Sequence, residues 1–399
     1  MASPHQLLNT SWTSHRLSPL HYKTESESQS EHGSLLNDNA ALETYAARLR
    51  DHLTGSLFGA QGWRAQDEPF AAGGLSAIGA LQSCTWEVIS SLDFIGQGSE
   101  AQGDNSGQET TREQEQEQEK GPAGLLITLS YETATYKAAL LAAPGSSASK
   151  GNKKEGHQKR GRGRPSLASK MSSSSSSSAS IHLPLLLTRF PKPLKEPFIA
   201  FLASTFDTYV SDLRISSAGM CGVLERYIES LNVRSPGENE NANAQDVIRE
   251  MHLTLSFAPP IAPSLKALNV NIPRETVGSF LRTPSSSSSS SSKGSPLLSG
   301  LSAYLQKQLS MEFGSALSVA SAPTPGEAEG GASVVGGYAR LTKIACAGFV
   351  VTAEGRLKVV VKGADGENER NQGALRGGQA LLRSVLERAG MGLDAGREG

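Results

Sequence analysis

Runs that cannot pack cut this chain into pieces, and they limit its fold more than any motif does. Glu and Gln alternate from Glu113 to Glu119, eight serines fill positions 285–292, and a basic burst falls into a serine run at 157–180 (HQKRGRGRPSLASKMSSSSSSSAS). Residues 23–34, 97–120, 144–180, 284–295, 322–336 and 363–373 share this character, being rich in Ser, Glu, Gln, Gly or Pro. Such stretches bury too little apolar surface to offset the entropy lost on ordering them, so they are expected to be disordered insertions. Any core must then be assembled from blocks that lie far apart in sequence.

The blocks between the insertions are periodic. Residues 37–53 read as a helix, with Asn37 or Asp38 as its cap and Leu42, Tyr45, Leu49 and Leu53 on one stripe. Residues 83–94 read as a strand, and Leu125, Ile127, Leu129 and Tyr131 alternate at the strand period. An extended run at 182–189 precedes a helix expected over 194–213, with Pro197 in its first turn and Phe198, Leu202, Phe206 and Tyr209 facing inward. Residues 219–231 form a second helix through Leu224, Tyr227, Ile228 and Leu231. Met251, Leu253, Leu255 and Phe257 alternate, as do Leu268, Val270 and Ile272, which predicts two adjacent strands joined by the proline-rich turn at 259–263. Helices follow at 276–282 and 296–311, then a hairpin whose turn, Ala353-Glu354-Gly355-Arg356, offers a glycine where positive φ is wanted, then a helix at 378–389. Strands and helices come in clusters rather than in βαβ alternation. The expected class is α+β: mainly antiparallel sheet covered by helices and interrupted by long insertions. Residues 1–143 supply the N-terminal part of the core, 144–180 a basic and serine-rich linker, and 181–399 the C-terminal part.

Charge and cysteine usage exclude several classes. The net charge of −1 conceals a local excess, since residues 153–170 hold seven Lys or Arg and one Glu. Cys84, Cys221 and Cys346 have neither zinc spacing nor a disulfide pattern, and read as buried free thiols of a reducing compartment. The start lacks a basic segment followed by an apolar one, and no apolar run approaches the roughly 20 residues that span a bilayer, so a soluble intracellular protein is expected. No nucleophile elbow, P-loop, Rossmann glycine pattern or paired-histidine ligand set occurs. No catalytic residue, cofactor or metal is therefore assigned.

One motif carries a mechanism. Lys159, Arg160, Arg162, Gly163, Arg164 and Pro165 contain Arg-Gly-Arg-Pro, the core of an AT-hook. Extended Arg-Gly-Arg lies along the floor of a narrow minor groove, where glycine lets the backbone approach and A·T tracts concentrate negative potential. The same residues fit a nuclear-import signal or a solubilising linker, and these readings overlap. Late in the chain, Leu357, Val359, Val360 and Val361 form the last strand of the hairpin. Either it is an open edge that recruits a partner strand, or it is an interior strand paired within its own sheet. Trp12 reads as an anchor of the N-terminal arm rather than an exposed contact.

Three blocks carry a resemblance. LNTSWTSHRLSPL at 8–20 places a Trp-Thr pair ahead of Ser-Pro-Leu, GLLITLSYE at 124–132 precedes Tyr136-Lys137-Ala138, and LTRFPKPL at 187–194 leads into FLASTFDT at 201–208. In order and spacing they resemble the centromere protein L family, the third block its fungal branch. The resemblance implies a non-enzymatic subunit of the inner kinetochore, in the constitutive centromere-associated network of the nucleus, supporting chromosome segregation. It implies pairing with a centromere protein N-type partner through sheet edges, and contact with centromere protein C and neighbouring subunits. It further implies a share in a surface facing centromeric DNA, and self-association as a homodimer when the partner is absent. The competing reading is an AT-hook chromatin protein of unrelated fold.

Overall fold

A computed structural model describes residues 1–23, 35–64, 79–94, 122–143, 178–231, 247–257, 264–277, 296–309, 339–361 and 369–391. In chain order the elements are β1 (Ser11–Leu17), β2 (Leu20–Lys23), α1 (Asn39–Arg64), β3 (Leu81–Ile89), β4 (Gly124–Tyr131), β5 (Thr135–Leu141), β6 (Ser178–Ile181) and β7 (Leu185–Arg189). They continue with α2 (Lys192–Phe206), β8 (Val210–Asp212), α3 (Ser217–Leu231), β9 (Met251–Phe257), β10 (Ala267–Ile272), α4 (Pro296–Leu309), β11 (Ala339–Cys346), β12 (Phe349–Thr352), β13 (Arg356–Val359) and α5 (Glu369–Met391). The class is α+β. One sheet of eleven strands runs β10-β9-β11-β12-β13-β1-β7-β5-β4-β3, with β8 beside β1, and β2 pairs with β6 in a small second sheet.

β1 is the keystone. One of its edges pairs with β7, from Thr13↔Thr188 to Arg16↔Leu185. The other edge is shared: Ser11–Thr13 pair with β13, and His15–Leu17 pair with β8. Gly355 sits at the join, with φ of 78°. Its carbonyl accepts from both the backbone N–H and the Oγ of Ser14, and a Cβ there would run into the Leu213 carbonyl oxygen. A glycine is needed for both reasons. Trp12 is buried, and its Nε1 donates to the Leu7 carbonyl at 2.9 Å, so it does anchor the N-terminal arm.

Two apolar clusters lie on opposite faces of the sheet. The first packs α1 and α2 against β3, β4, β5 and β7, through Leu42, Leu49, Phe198, Leu202 and Phe206 on the helices and Trp86, Ile127 and Leu186 on the strands. The second packs α3, α4 and α5 against the other face, through Tyr227, Leu305, Leu381 and Val385 on the helices and Leu253, Ile344, Phe349 and Leu357 on the strands. Asp38 caps α1, its Oδ1 accepting from the Ala41 N–H at 3.0 Å.

Several expectations are corrected. α2 stops at Phe206 because Asp207 turns left-handed (φ 46°), and the chain then forms β8 instead of further helix. Tyr209, expected in the buried face, is 73% exposed. Pro197 lies inside α2, beyond its first turn. β5 follows β4 as a strand the alternation did not mark, and β6 uses Ser178 and Ser180 from the end of the expected linker. α5 begins at Glu369, within the stretch assigned to an insertion at 363–373. The remaining residues of the expected insertions, apart from Lys23, lie outside the described residues.

Candidate partner and nucleic-acid interface

β13 is not an open edge. β12 pairs with it from Phe349↔Val359 to Val351↔Leu357, and β1 pairs with its other side. Beyond the ladder, the Asn9 N–H donates to the Val359 carbonyl at 2.7 Å. The Asn9 side chain donates to the Val361 carbonyl at 3.0 Å and accepts from the Val361 N–H at 2.9 Å. The Val360 N–H is taken by the Gly348 carbonyl. Leu357, Val359 and Val361 are buried, and Val360 is half-buried on the opposite face. The open-edge alternative fails because the partner strand comes from the other end of the chain, which a local pattern cannot reveal.

Among the described strands the sheet ends at β10 and β3. Among the described residues nothing pairs with the outer side of β10, while β3 takes only a bridge from Ala2 to Ile89. β10 alternates: Leu268, Val270 and Ile272 pair with Leu255, Leu253 and Met251 on the core side, and Asn269 and Asn271 are exposed on the other.

That other face is the second feature. Along β9, β11, β12 and β13 the core side holds Leu253, Leu255, Leu341, Ile344, Val351, Leu357 and Val359. The opposite side carries Arg340, Lys343, Arg356 and Lys358 around the half-buried Val350 and Val360. A register shift between Leu341 and Lys343 puts Arg340 and Lys343 on the same side despite their spacing of three, while Leu341 and Ile344 both stay inside. The sequences of β9 to β13 contain no Asp or Glu. Among the described residues α1 and α2 cover this face only over β3, β4, β5 and β7, and none covers the cations of β11 and β13. With no carboxylate on its strands to neutralise it, the surface attracts anions. Sequence reasoning missed this face. Its signal was present in the coincidence of alternation along β9, β10 and β13 with carboxylate-free strands.

The basic arm is placed differently. Lys159, Arg160, Arg162, Gly163, Arg164 and Pro165 lie outside the described residues. The chain re-enters at β6, whose Ser178 pairs with Lys23 of β2.

The constellation that most resembles catalytic machinery is structural. His15 Nδ1 lies 3.0 Å from Asp212 Oδ1, and His15 Nε2 lies 3.1 Å from Thr188 Oγ1. Lys195 Nζ donates to the same Asp212 oxygen at 3.3 Å. Burial, reinforced by the Lys195 charge, lowers the His15 pKa against the opposing pull of Asp212. Burial pushes the Asp212 carboxyl up, but Lys195 and His15 outweigh it and hold it below the ordinary carboxylate value. Thr188 and His15 are both buried, so a substrate has no access to the hydroxyl. The network ties β1, β7, β8 and α2 together. Burial raises the Cys84 and Cys346 thiols to about 11 and Cys221 to about 12, so none is a ready thiolate nucleophile. Among the described residues no group of His, Cys, Asp and Glu could hold a metal ion. No described helix is long and apolar enough to cross a membrane.

Among the described residues the fold is thus an antiparallel sheet with an unpaired terminal strand and a basic face that no helix covers. The family model for centromere protein L matches residues 6–390, and the chain belongs to that family. Comparison with individual curated proteins returns no match. Centromere protein L is a kinetochore structural family not known for enzymatic activity, so the chain is a kinetochore subunit of the centromere in the nucleus. The match sets aside an AT-hook protein of unrelated fold.

Proposed function

We propose that the chain is a non-enzymatic scaffold of the inner kinetochore that joins a protein partner at one surface and centromeric DNA at another. The partner is a centromere protein N-type subunit, added as a strand along the outer side of β10. The DNA lies against the open face bearing Arg340, Lys343, Arg356 and Lys358. The observation that carries this reading is the adjacency of the two: Asn269 and Asn271 of the free strand lie on the same face as the cations. A partner strand would extend that face rather than interrupt it. Lys159, Arg160, Arg162, Gly163, Arg164 and Pro165 then act as an auxiliary contact, weak because a single hook engages few phosphates. Centromere protein C and other inner-kinetochore subunits are further partners in this reading, and self-association without the N-type partner uses the same β10 edge. The assembly supports chromosome segregation.

Two substitutions test the edge. Successive N–H groups of a strand point to opposite sides, so one of Asn269→Pro and Val270→Pro leaves the ladder to β9 intact while blocking an incoming strand. The variant that keeps its thermal transition should lose co-purification with the N-type partner. If it retains the complex, β10 is not the interface. For the face, replacing Arg340, Lys343, Arg356 and Lys358 together by Ala should weaken duplex binding and flatten its salt dependence. Unchanged affinity removes the face from the DNA reading.

A further inference from the structure

The large sheet has a second unfilled edge, on β3, and that edge is self-complementary. The Val88 carbonyl accepts the Ala2 N–H at 2.9 Å on the outer side, while the Ile89 carbonyl accepts the Ala123 N–H on the side of β4. Strand backbones alternate, and the register with β4 runs unbroken from Ser83 to Ile89, so Cys84 and Trp86 also point their N–H and C=O groups outward. Among the described residues only Ala2 pairs on that side, which leaves Ser83–Glu87 open. β3 contains no Lys, Arg or Pro, the residues that commonly blunt an edge. We infer that β3 pairs antiparallel with β3 of a second copy of the chain, about a two-fold axis at Thr85. Cys84 of each copy then exchanges both N–H···O bonds with Trp86 of the other. Thr85 meets Thr85, and Glu87 faces Ser83, so no like charges oppose each other along the new ladder.

The helix above the edge carries matching charges. Leu42, Ala46, Leu49 and Leu53 of α1 are buried against the sheet. Tyr45 and His52 lie on the flank toward α2, with ring centroids 4.7 Å from Phe206 and 5.6 Å from Phe201 respectively. α2 is the inner helix, since its Lys195 reaches Asp212 of β8. At 3.6 residues per turn Glu43, Ala47 and Arg50 take the opposite flank of α1, and all three are exposed. That flank looks outward past β3. Tyr45 stacks on Trp86, with centroids 6.1 Å apart. Burial raises the Cys84 pKa, and Trp86 and the Arg50 charge act against it, so Arg50 stands near Cys84. α1 therefore runs antiparallel to β3, and an axis at Thr85 passes close to Ala47. It sets Glu43 of each copy opposite Arg50 of the other, across a small residue. Within its own chain Arg50 meets Asp51 at 3.5 Å, an exposed pair of little worth. An interface of one short strand pair and two ion pairs falls in the weak class, under about 1,200 Å². β10 stays free for the N-type partner. The axis is normal to the sheet, so both basic faces lie on one side, and on the DNA reading of that face the pair holds a duplex at two places.

Sedimentation of the full chain tests the pairing, with β10 blocked by whichever of Asn269→Pro and Val270→Pro keeps its thermal transition. A dimer is expected as the concentration rises to about 100 μM. Glu43→Arg and Arg50→Glu, both on the exposed flank, should each weaken it at least about tenfold, because each sets like charges across the axis twice. Combining the two reverses the pairs without losing them and should restore the parental affinity. Cys84→Pro removes an outward N–H and should abolish the dimer while the ladder to β4 survives. A chain that stays monomeric, or a dimer indifferent to the single reversals, overturns the inference. So does a double reversal that fails to recover. A dimer of the unblocked chain that the β10 proline abolishes belongs to β10, and it too overturns pairing at β3. Because β10 is blocked throughout, failure at β3 leaves the N-type interface untouched.

Discussion

In β4 three successive residues, Leu125, Leu126 and Ile127, are buried, whereas in β13 Leu357 and Val359 are buried and Lys358 between them is not. The same contrast separates the two ends of the large sheet. β4, β5 and β7 lie between apolar clusters and read as near-continuous apolar runs, with Leu185, Leu186 and Leu187 all enclosed. Among the described residues β9 to β13 have helices on one side only, and their side chains alternate. Antiparallel sheets commonly leave one face to water, and the alternation records it. One chain thus contains a closed half that holds the fold and an open half that presents charge. Both are threaded by β1.

The sharpest way to break this comparison is to put a charge on each side of one strand. Val359→Asp buries an unpaired carboxylate against α5 and should cost more than about 3 kcal/mol in urea unfolding, while Val360→Asp, on the open face, should cost under about 1 kcal/mol. Equal losses would mean the open face is covered. Next in size, Leu186→Ala and Leu187→Ala point to opposite faces of β7 and should each cost about 2–5 kcal/mol. In the open half, Leu357→Ala falls in that range and Lys358→Ala stays within about 0.5 kcal/mol.

A smaller effect comes from the seam between the halves. The His15 pKa is lowered from 6.5 in the folded chain. The unfolded chain therefore binds its proton first, and stability present above about pH 6.5 is lost as pH falls through the folded value. The urea midpoint should drop below about pH 6.5, and His15→Gln should flatten that part of the profile. A profile identical to the parent's would mean the imidazole titrates alike in both states. The smallest change is in salt dependence. Lys358→Ala should reduce the slope of log affinity for duplex against log salt by about 0.9, one phosphate contact, without altering thermal stability. A slope unchanged at equal stability would remove Lys358 from the contact.

Local chemistry was readable where it decided the outcome. Asp38 as a cap, Gly355 in its turn, the inward stripe of Leu224, Tyr227, Ile228 and Leu231, and the pairing of β9 with β10 all follow from residue type and spacing. What escaped depends on long-range partners. Leu357–Val361 looks equally like an edge and an interior strand until Ser11–Thr13 is seen beside it. Tyr209 follows the helical stripe of α2, but Asp207 adopts a left-handed turn that a propensity scale assigns to glycine, and the register is lost there. Within the candidate site, the strands were found and their uncovered side was not, because which face the helices take is a tertiary choice.

The position of β1 also says something about how the molecule is made. Ser14 meets Gly355 at a separation of 341 residues, and His15 meets Thr188 and Asp212 at 173 and 197. β1 therefore waits for β13, more than 340 residues later, before its edges are filled, and contacts of such range favour slow folding. The inserted runs scarcely worsen the equilibrium, because doubling a loop adds only about 0.6 kcal/mol to its closure. They lengthen the search rather than weaken the result. A chain stopped before Arg356 would leave half of one side of β1 bare, so an N-terminal fragment should recruit chaperones or aggregate rather than act as a smaller scaffold.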